Sequence, residues 1–146
     1  MGQGKLSRQL VETMVRRFGI THYRPGQERT IKALCRSRDV LCIMPTGSGK
    51  SLCFQLPGVA MGWVTVVVSP LLALMQDQVR HLQERGIPAI MLHGSMGQEA
   101  YQQALWQIKR REWSFVYVSP ERLEIASFQE AIKTAQPEML VVDEAH

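Results

Sequence analysis

The sequence predicts a layered α/β fold in which helices cover a parallel sheet, and three observations predict it. Short runs rich in β-branched residues recur at residues 40–44, 64–69, 89–92, 115–119 and 139–143, with a helix-length segment between each and the next. Runs such as Val64-Thr65-Val66-Val67-Val68 are apolar without alternation, which implies burial on both faces. Parallel strands joined by crossover helices meet that requirement. Third, four of the five runs end in polar loops, and a parallel sheet gathers such loops at the carboxyl edge of its strands.

The elements follow in order. Leu6, Leu10, Val11, Met14, Val15 and Phe18 recur at helical spacing with Arg8, Arg16 and Arg17 between them, so a first amphipathic helix ends at Gly19. A second helix has Pro25 in its first turn and Ile31, Leu34 and Cys35 as its buried stripe. Residues 40–44 then form the first strand, and the strand–helix alternation continues to the end. Leu71, Leu72, Leu74, Met75 and Val79 mark the apolar face of the helix after residues 64–69. Ser119 stands where it would cap a helix that begins at Pro120.

Composition narrows the class. A chain of 146 residues, 45% hydrophobic and 21% charged, is long enough to bury a core and is neither a disordered tail nor a biased repeat. Net charge is +4 and the sequence pI about 9.2, which suits a polyanionic partner. Cys35, Cys42 and Cys53 lack paired spacing and lie in apolar runs, so they read as reduced core residues, not as a metal knuckle or a disulfide framework. No stretch approaches the roughly 20 apolar residues that span a bilayer, and no signal core opens the chain. Those features lead us to expect a cytoplasmic protein without a membrane partner.

Two strand ends carry chemistry. After residues 40–44 come Thr46, Gly47, Ser48, Gly49, Lys50 and Ser51, followed by a helix. Two glycines let backbone N–H groups curl around phosphate oxygens, and the helix presents its positive end. Lys50 would reach the β/γ-phosphates and Ser51 would ligate magnesium. The usual pattern opens with glycine six residues before the lysine, where this chain has Met44. The second strand end is Asp143-Glu144-Ala145-His146: Asp143 is suited to the Mg²⁺ shell and Glu144 to orienting and deprotonating an attacking water. Other features read as structural: Lys109-Arg110-Arg111 as a solvated helix end, Trp63, Trp106 and Trp113 as packing residues, and His93-Gly94-Ser95 as a loop.

Taken in order, these segments resemble the DEAH-type superfamily two helicases, and within them the RecQ family. Residues 44–53 resemble motif I, 67–71 through 77–79 motif Ia, 116–123 motif Ib and 141–146 motif II. Phe18-Gly19 followed by Tyr23-Arg24-Pro25-Gly26-Gln27-Glu28 is similar to the RecQ motif 0, which separates the family from DEAD-box RNA helicases. The resemblance implies a RecA-like P-loop NTPase fold, here the first lobe and truncated. Residues 1–30 would form a helical segment with the adenine-recognition motif and 31–146 the ATP-binding domain. Gln27 would read the adenine edge, since an amide gives and takes one hydrogen bond, and Arg24 would help to position the base. At the position where many relatives stack an aromatic ring on adenine, this chain has Ile20. Ser69, Pro70, Ser119 and Pro120 would contact single-strand phosphates, and His146 would couple hydrolysis to DNA.

The implied function is the ATP-binding part of a 3′–5′ DNA helicase that acts in recombination and repair on single strands and duplex junctions, with ATP and Mg²⁺, associated with the nucleoid. Such a motor needs the remainder of the helicase chain, including an arginine finger worth roughly 10³ to 10⁵ in rate. The segment alone is therefore expected to be inactive. In this ATPase class a strand that follows motif II lies between the phosphate-loop strand and the motif II strand, so the middle of the sheet is expected to lack pairing. The alternative is a non-catalytic nucleotide- or DNA-binding module, or an inert truncation product.

Overall fold

The structure is a computed structural model that describes residues 2–45, 47 and 49–144. The chain divides into two compact units, Met1–Gly62 and Trp63–His146.

The first unit holds three helices: α1 (Gln3–Phe18), α2 (Gln27–Cys35) and α3 (Lys50–Ala60). Leu6, Leu10, Met14 and Phe18, four residues apart, form the buried stripe of α1. Val11 and Val15, expected in that stripe, are 44% exposed, because the i, i+4 row alone faces inward. Gly19 ends the helix in the left-handed region at φ 65°, donating its N–H to the carbonyl of Val15. α2 starts at Gln27, two residues after Pro25, and buries Ile31 completely. α3 packs against both α1 and α2 and buries Leu52, Phe54 and Leu56.

The second unit is a four-stranded sheet made of β1 (Thr65–Val68), β2 (Ala89–Leu92), β3 (Phe115–Val118) and β4 (Met139–Val142). The order is β2-β3-β1-β4 and every pair is parallel. Crossovers pass through α4 (Leu72–Glu84), α5 (Gln98–Lys109) and α6 (Ala126–Ala135). Val66, Val68, Val116, Val118 and Leu92 point to one face, where they meet Leu105 and Ile108 of α5 and Phe128 and Ala131 of α6. Tyr117 points to the other face, and its hydroxyl donates to Gln78 Oε1 of α4 at 2.7 Å. β1 and β3 are buried throughout, as their unbroken apolar runs require.

Four expectations are corrected. Residues 40–44 form no strand: they lie outside the sheet, with Leu41 83% and Ile43 86% exposed, since an extended segment without a ladder partner has nothing to fix it as a strand. In α4, Leu71 and Leu72 are half exposed and the buried row is Met75, Val79 and Leu82. A helix does begin at Pro120 with Ser119 in the N-cap position, as expected, but it is a 3-10 helix, Pro120–Glu124, and Ser119 makes no side-chain cap bond. Trp106 is 55% exposed, with the Arg110 guanidinium 4.6 Å above its ring, whereas Trp113 does pack on the core. β4 pairs only with β1 among the described strands, and its Leu140 and Val142 are exposed on the face that carries Val66 and Val68.

Candidate functional site

In the first unit the site is built around the phosphate-loop residues. Gly47 and Gly49 occupy the left-handed region, at φ 77° and 82°. Gly49 is required twice over, because a Cβ there would also stand 2.5 Å from Gln27 Nε2. α3 begins at Lys50 after Gly49, and among the described residues no side chain caps its first N–H groups. Lys50 and Ser51 are both partly exposed at this end. Thr46 and Ser48 lie outside the described residues.

Gln27 and Arg24 hold the loop from the side. Gln27 is 2% exposed; its Oε1 accepts from Arg24 N at 2.8 Å and its Nε2 donates to the Gly49 carbonyl at 3.0 Å. Arg24 Nη1 donates to the Gly47 carbonyl at 2.8 Å. The structure therefore brings Arg24, Gln27, Gly47, Gly49 and Lys50 together, and it gives Gln27 a scaffolding task. An amide carries two N–H groups and two acceptor lone pairs, so these two bonds leave one of each.

In the second unit the parallel register aligns the strand ends. Val68 pairs with both Val118 and Val142, and Leu92 pairs with Val118. The next residues, His93, Ser119, Ser69 and Asp143, therefore form one row across the carboxyl edge, in strand order. Asp143 continues the ladder, its N–H donating to the Val68 carbonyl at 2.9 Å, and its Oδ1 accepts from Glu144 N at 3.0 Å. Glu144 follows at φ 55°, in the left-handed region. His146 lies outside the described residues.

The residues expected to meet nucleic acid are placed unequally. Ser69 is 2% exposed and its hydroxyl accepts from Leu71 N at 3.3 Å, so the side chain serves the turn into α4 and only its neighbour Pro70 is exposed. Any contact that Ser69 makes with a phosphate would therefore have to come from its backbone. Pro120 is exposed, and Ser119 is partly so. The Glu121 N–H and then the Ser119 hydroxyl hold the Glu121 carboxyl below its usual range. Arg122, within the stretch that resembles motif Ib, lies over the Tyr101 ring at 5.2 Å.

One pairing had no local signal at all. Arg111, at φ 59°, donates to Glu138 and to the carbonyls of Ala135 and Gln136. Glu138 also accepts from Val64 N at 3.0 Å. Arg111 thus joins three connections at the opposite edge of the sheet, where a solvated helix end was expected.

Comparison with known proteins gives the site its context. The DEAD/DEAH box helicase family matches residues 24–146. The chain is 39% identical to the ATP-dependent DNA helicase RecQ of Synechocystis sp. over 95% of this chain and 30% of that protein. It is 38% identical to the probable ATP-dependent DNA helicase RecS of Bacillus subtilis, over 94% of this chain and 27% of that one. For RecQ of Haemophilus influenzae the identity is 40%, over 88% and 21%. The chain therefore spans less than a third of the length of these relatives. A hypothetical ATP-dependent RNA helicase from Sulfolobus tokodaii shares the fold, with a TM-score of 0.72 and 23% identity over 94% of this chain and 41% of that one. With that family matched over residues 24–146, the chain belongs to the DEAD/DEAH box helicases and is similar, within them, to the RecQ helicases.

Proposed function

We propose that the chain is the nucleotide-binding part of a RecQ-type motor that couples ATP hydrolysis to 3′–5′ unwinding of DNA, in the cytoplasm and at the nucleoid, during recombination and repair. The observation that carries the proposal is the loop held by Gln27 and Arg24 at the uncapped start of α3, with two left-handed glycines before Lys50. Backbone N–H groups of residues 46–51 bind the phosphates, and Lys50 supplies charge to the β/γ-phosphates. Gln27 uses its remaining N–H and lone pair for the adenine edge, and Arg24 steadies the base. Residues 1–30 supply this adenine recognition and 31–146 the ATP-binding domain.

Ser51 and Asp143 are oxygen donors of the kind Mg²⁺ prefers, alongside phosphate oxygens and water. When bound, that ion neutralises charge on the phosphates. Glu144 orients the attacking water and accepts its proton. Pro70 and the turns at Ser69, Ser119 and Pro120 meet the DNA backbone through N–H groups, and His146 relays the state of the nucleotide to the DNA. Since the chain spans 15–30% of its relatives' length, unwinding and turnover belong to a longer protein, and the chain alone binds nucleotide without appreciable turnover.

Phosphate release should be measured with Mg²⁺-ATP, with and without single-stranded DNA, on the chain and on a protein extended by a second lobe. The extended protein should release phosphate faster with DNA and lose this on Lys50→Ala or Glu144→Gln. Retention of DNA-stimulated release in either variant would overturn the assignment.

A further inference from the structure

Three sulfur atoms cluster under the phosphate loop. Cys42 and Met44 are two residues apart in an extended segment and share its inner side, while Leu41 and Ile43 point out. Cys53, 3% exposed, lies in the first turn of α3, with its Sγ 3.9 Å from Met44 Sδ and hydrogen-bonded to the Cys42 side chain. The Thr30 hydroxyl lies 3.9 Å from Cys42 Sγ. Cys42 is partly exposed and Cys53 is not. The phosphate loop leaves the segment at Pro45 and enters the helix at Lys50, so these two cysteines stand on either side of its base.

We propose that Cys42 and Cys53 form a reversible disulfide across the base of the phosphate loop, and that oxidation releases bound nucleotide. The nucleotide consequence rests on the phosphate-loop reading above; the bond itself does not. With a peroxide as oxidant, Cys42 sulfur attacks one peroxide oxygen, the O–O bond breaks, and Cys42 becomes a sulfenic acid as one water departs. Cys53 sulfur then attacks that sulfur, and the displaced hydroxyl leaves with the Cys53 thiol proton as a second water. Two thiols and one peroxide give one disulfide and two waters. A dithiol reverses the bond by exchange.

The order of events follows from the surroundings. Burial, then the charge and hydrogen bond of Cys42, push the Cys53 thiol up to about 12, so the solvent-accessible Cys42 meets the peroxide first and Cys53 gives up its proton only as it attacks the sulfenic sulfur. Bond formation shortens a sulfur contact to about 2 Å. That movement draws residues 40–44 onto α3 while Arg24 and Gln27 hold the Gly47 and Gly49 carbonyls in place. The loop between must deform, and misplacement by about 1 Å in such a site is enough for a large loss of function.

The test uses the purified full chain, oxidised with hydrogen peroxide, alkylated, digested without reduction and mapped by mass spectrometry. Affinity for a fluorescent N-methylanthraniloyl ATP is measured on the same samples. The proposal expects a dominant Cys42–Cys53 bridged peptide, affinity lowered by about tenfold or more, and full recovery with dithiothreitol. Cys35→Ser should keep both effects and Cys42→Ser should lose both. In urea, pairing should shift towards the shorter Cys35–Cys42 loop. The same mixture with and without urea, or a bridged chain with unchanged affinity, would overturn the proposal. A reduced chain that binds no nucleotide overturns the phosphate-loop reading and with it the nucleotide consequence, while the peptide map still decides the bond.

Discussion

The candidate sites of the two units are held by different forces. Asp143 is fixed by the sheet: its N–H extends the β1–β4 ladder, and that ladder lies beside strands buried on both faces. The phosphate loop follows a segment with no ladder, and the Gly47 and Gly49 carbonyls are held by the side chains of Arg24 and Gln27. A position held by backbone pairing tolerates most side chains along the strand and fails when the core beneath it fails. A position held by two side chains fails when either is changed.

The largest effect should come from the core of the second unit. Phe128 is 1% exposed and packs with Val66, Val68 and Val118. Phe128→Ala should destabilise this unit by about 3–5 kcal/mol, from lost burial and the cavity left behind. Urea denaturation would measure it, and amide exchange at residues 66–68 and at Asp143 should accelerate together. Separate acceleration at Asp143 alone would break the claim that the ladder fixes it.

Gly49→Ala should follow, at about 2–3 kcal/mol. A left-handed conformation opposes any Cβ, and here the added atom would also collide with Gln27 Nε2. Thermal melting monitored by circular dichroism, together with nucleotide affinity, would measure the loss. An unchanged melting temperature would show that the loop is not pinned by Gln27. Gln27→Ala should cost about 1–2 kcal/mol, since it leaves the Arg24 N–H and the Gly49 carbonyl without that partner in a part-buried place. Its specific signature is faster amide exchange at Arg24, which sharpens the contrast with Asp143.

What was legible in the sequence divides along the same line. Four of the five expected strands are present, because unbroken apolar runs such as Val66-Val67-Val68 report burial directly. The fifth run, residues 40–44, has the same composition, yet composition does not say whether a ladder partner exists. The expectation for residues 46–51 came from glycine spacing, and that for Asp143 and Glu144 from carboxylates at a strand end. The scaffolding bonds of Gln27, the inward hydroxyl of Ser69 and the sulfur cluster were not legible, since each depends on contacts between distant residues. Cys42 and Cys53 read singly as core residues, and only the side-chain contact between them shows that they meet.

The smallest expected effect tests the opposite edge of the sheet. Burial raises the Glu138 pKa, but the Arg111 hydrogen bonds, the Val64 N–H and the Arg111 charge outweigh it and hold the carboxyl below its usual value of 4.5. A carboxyl whose pKa is lower folded than unfolded binds fewer protons when folded, so its contribution to stability is complete above about pH 4.5. That contribution fades as pH falls through the lower, folded value. Glu138→Gln should therefore cost about 1 kcal/mol at neutral pH, after allowance for the solvent that reaches the pair, and nearly nothing in strong acid. Urea denaturation of both chains from pH 7 downward would measure the gap. A gap that stayed constant with pH would mean that packing, and not the Arg111 charge, makes Glu138 matter.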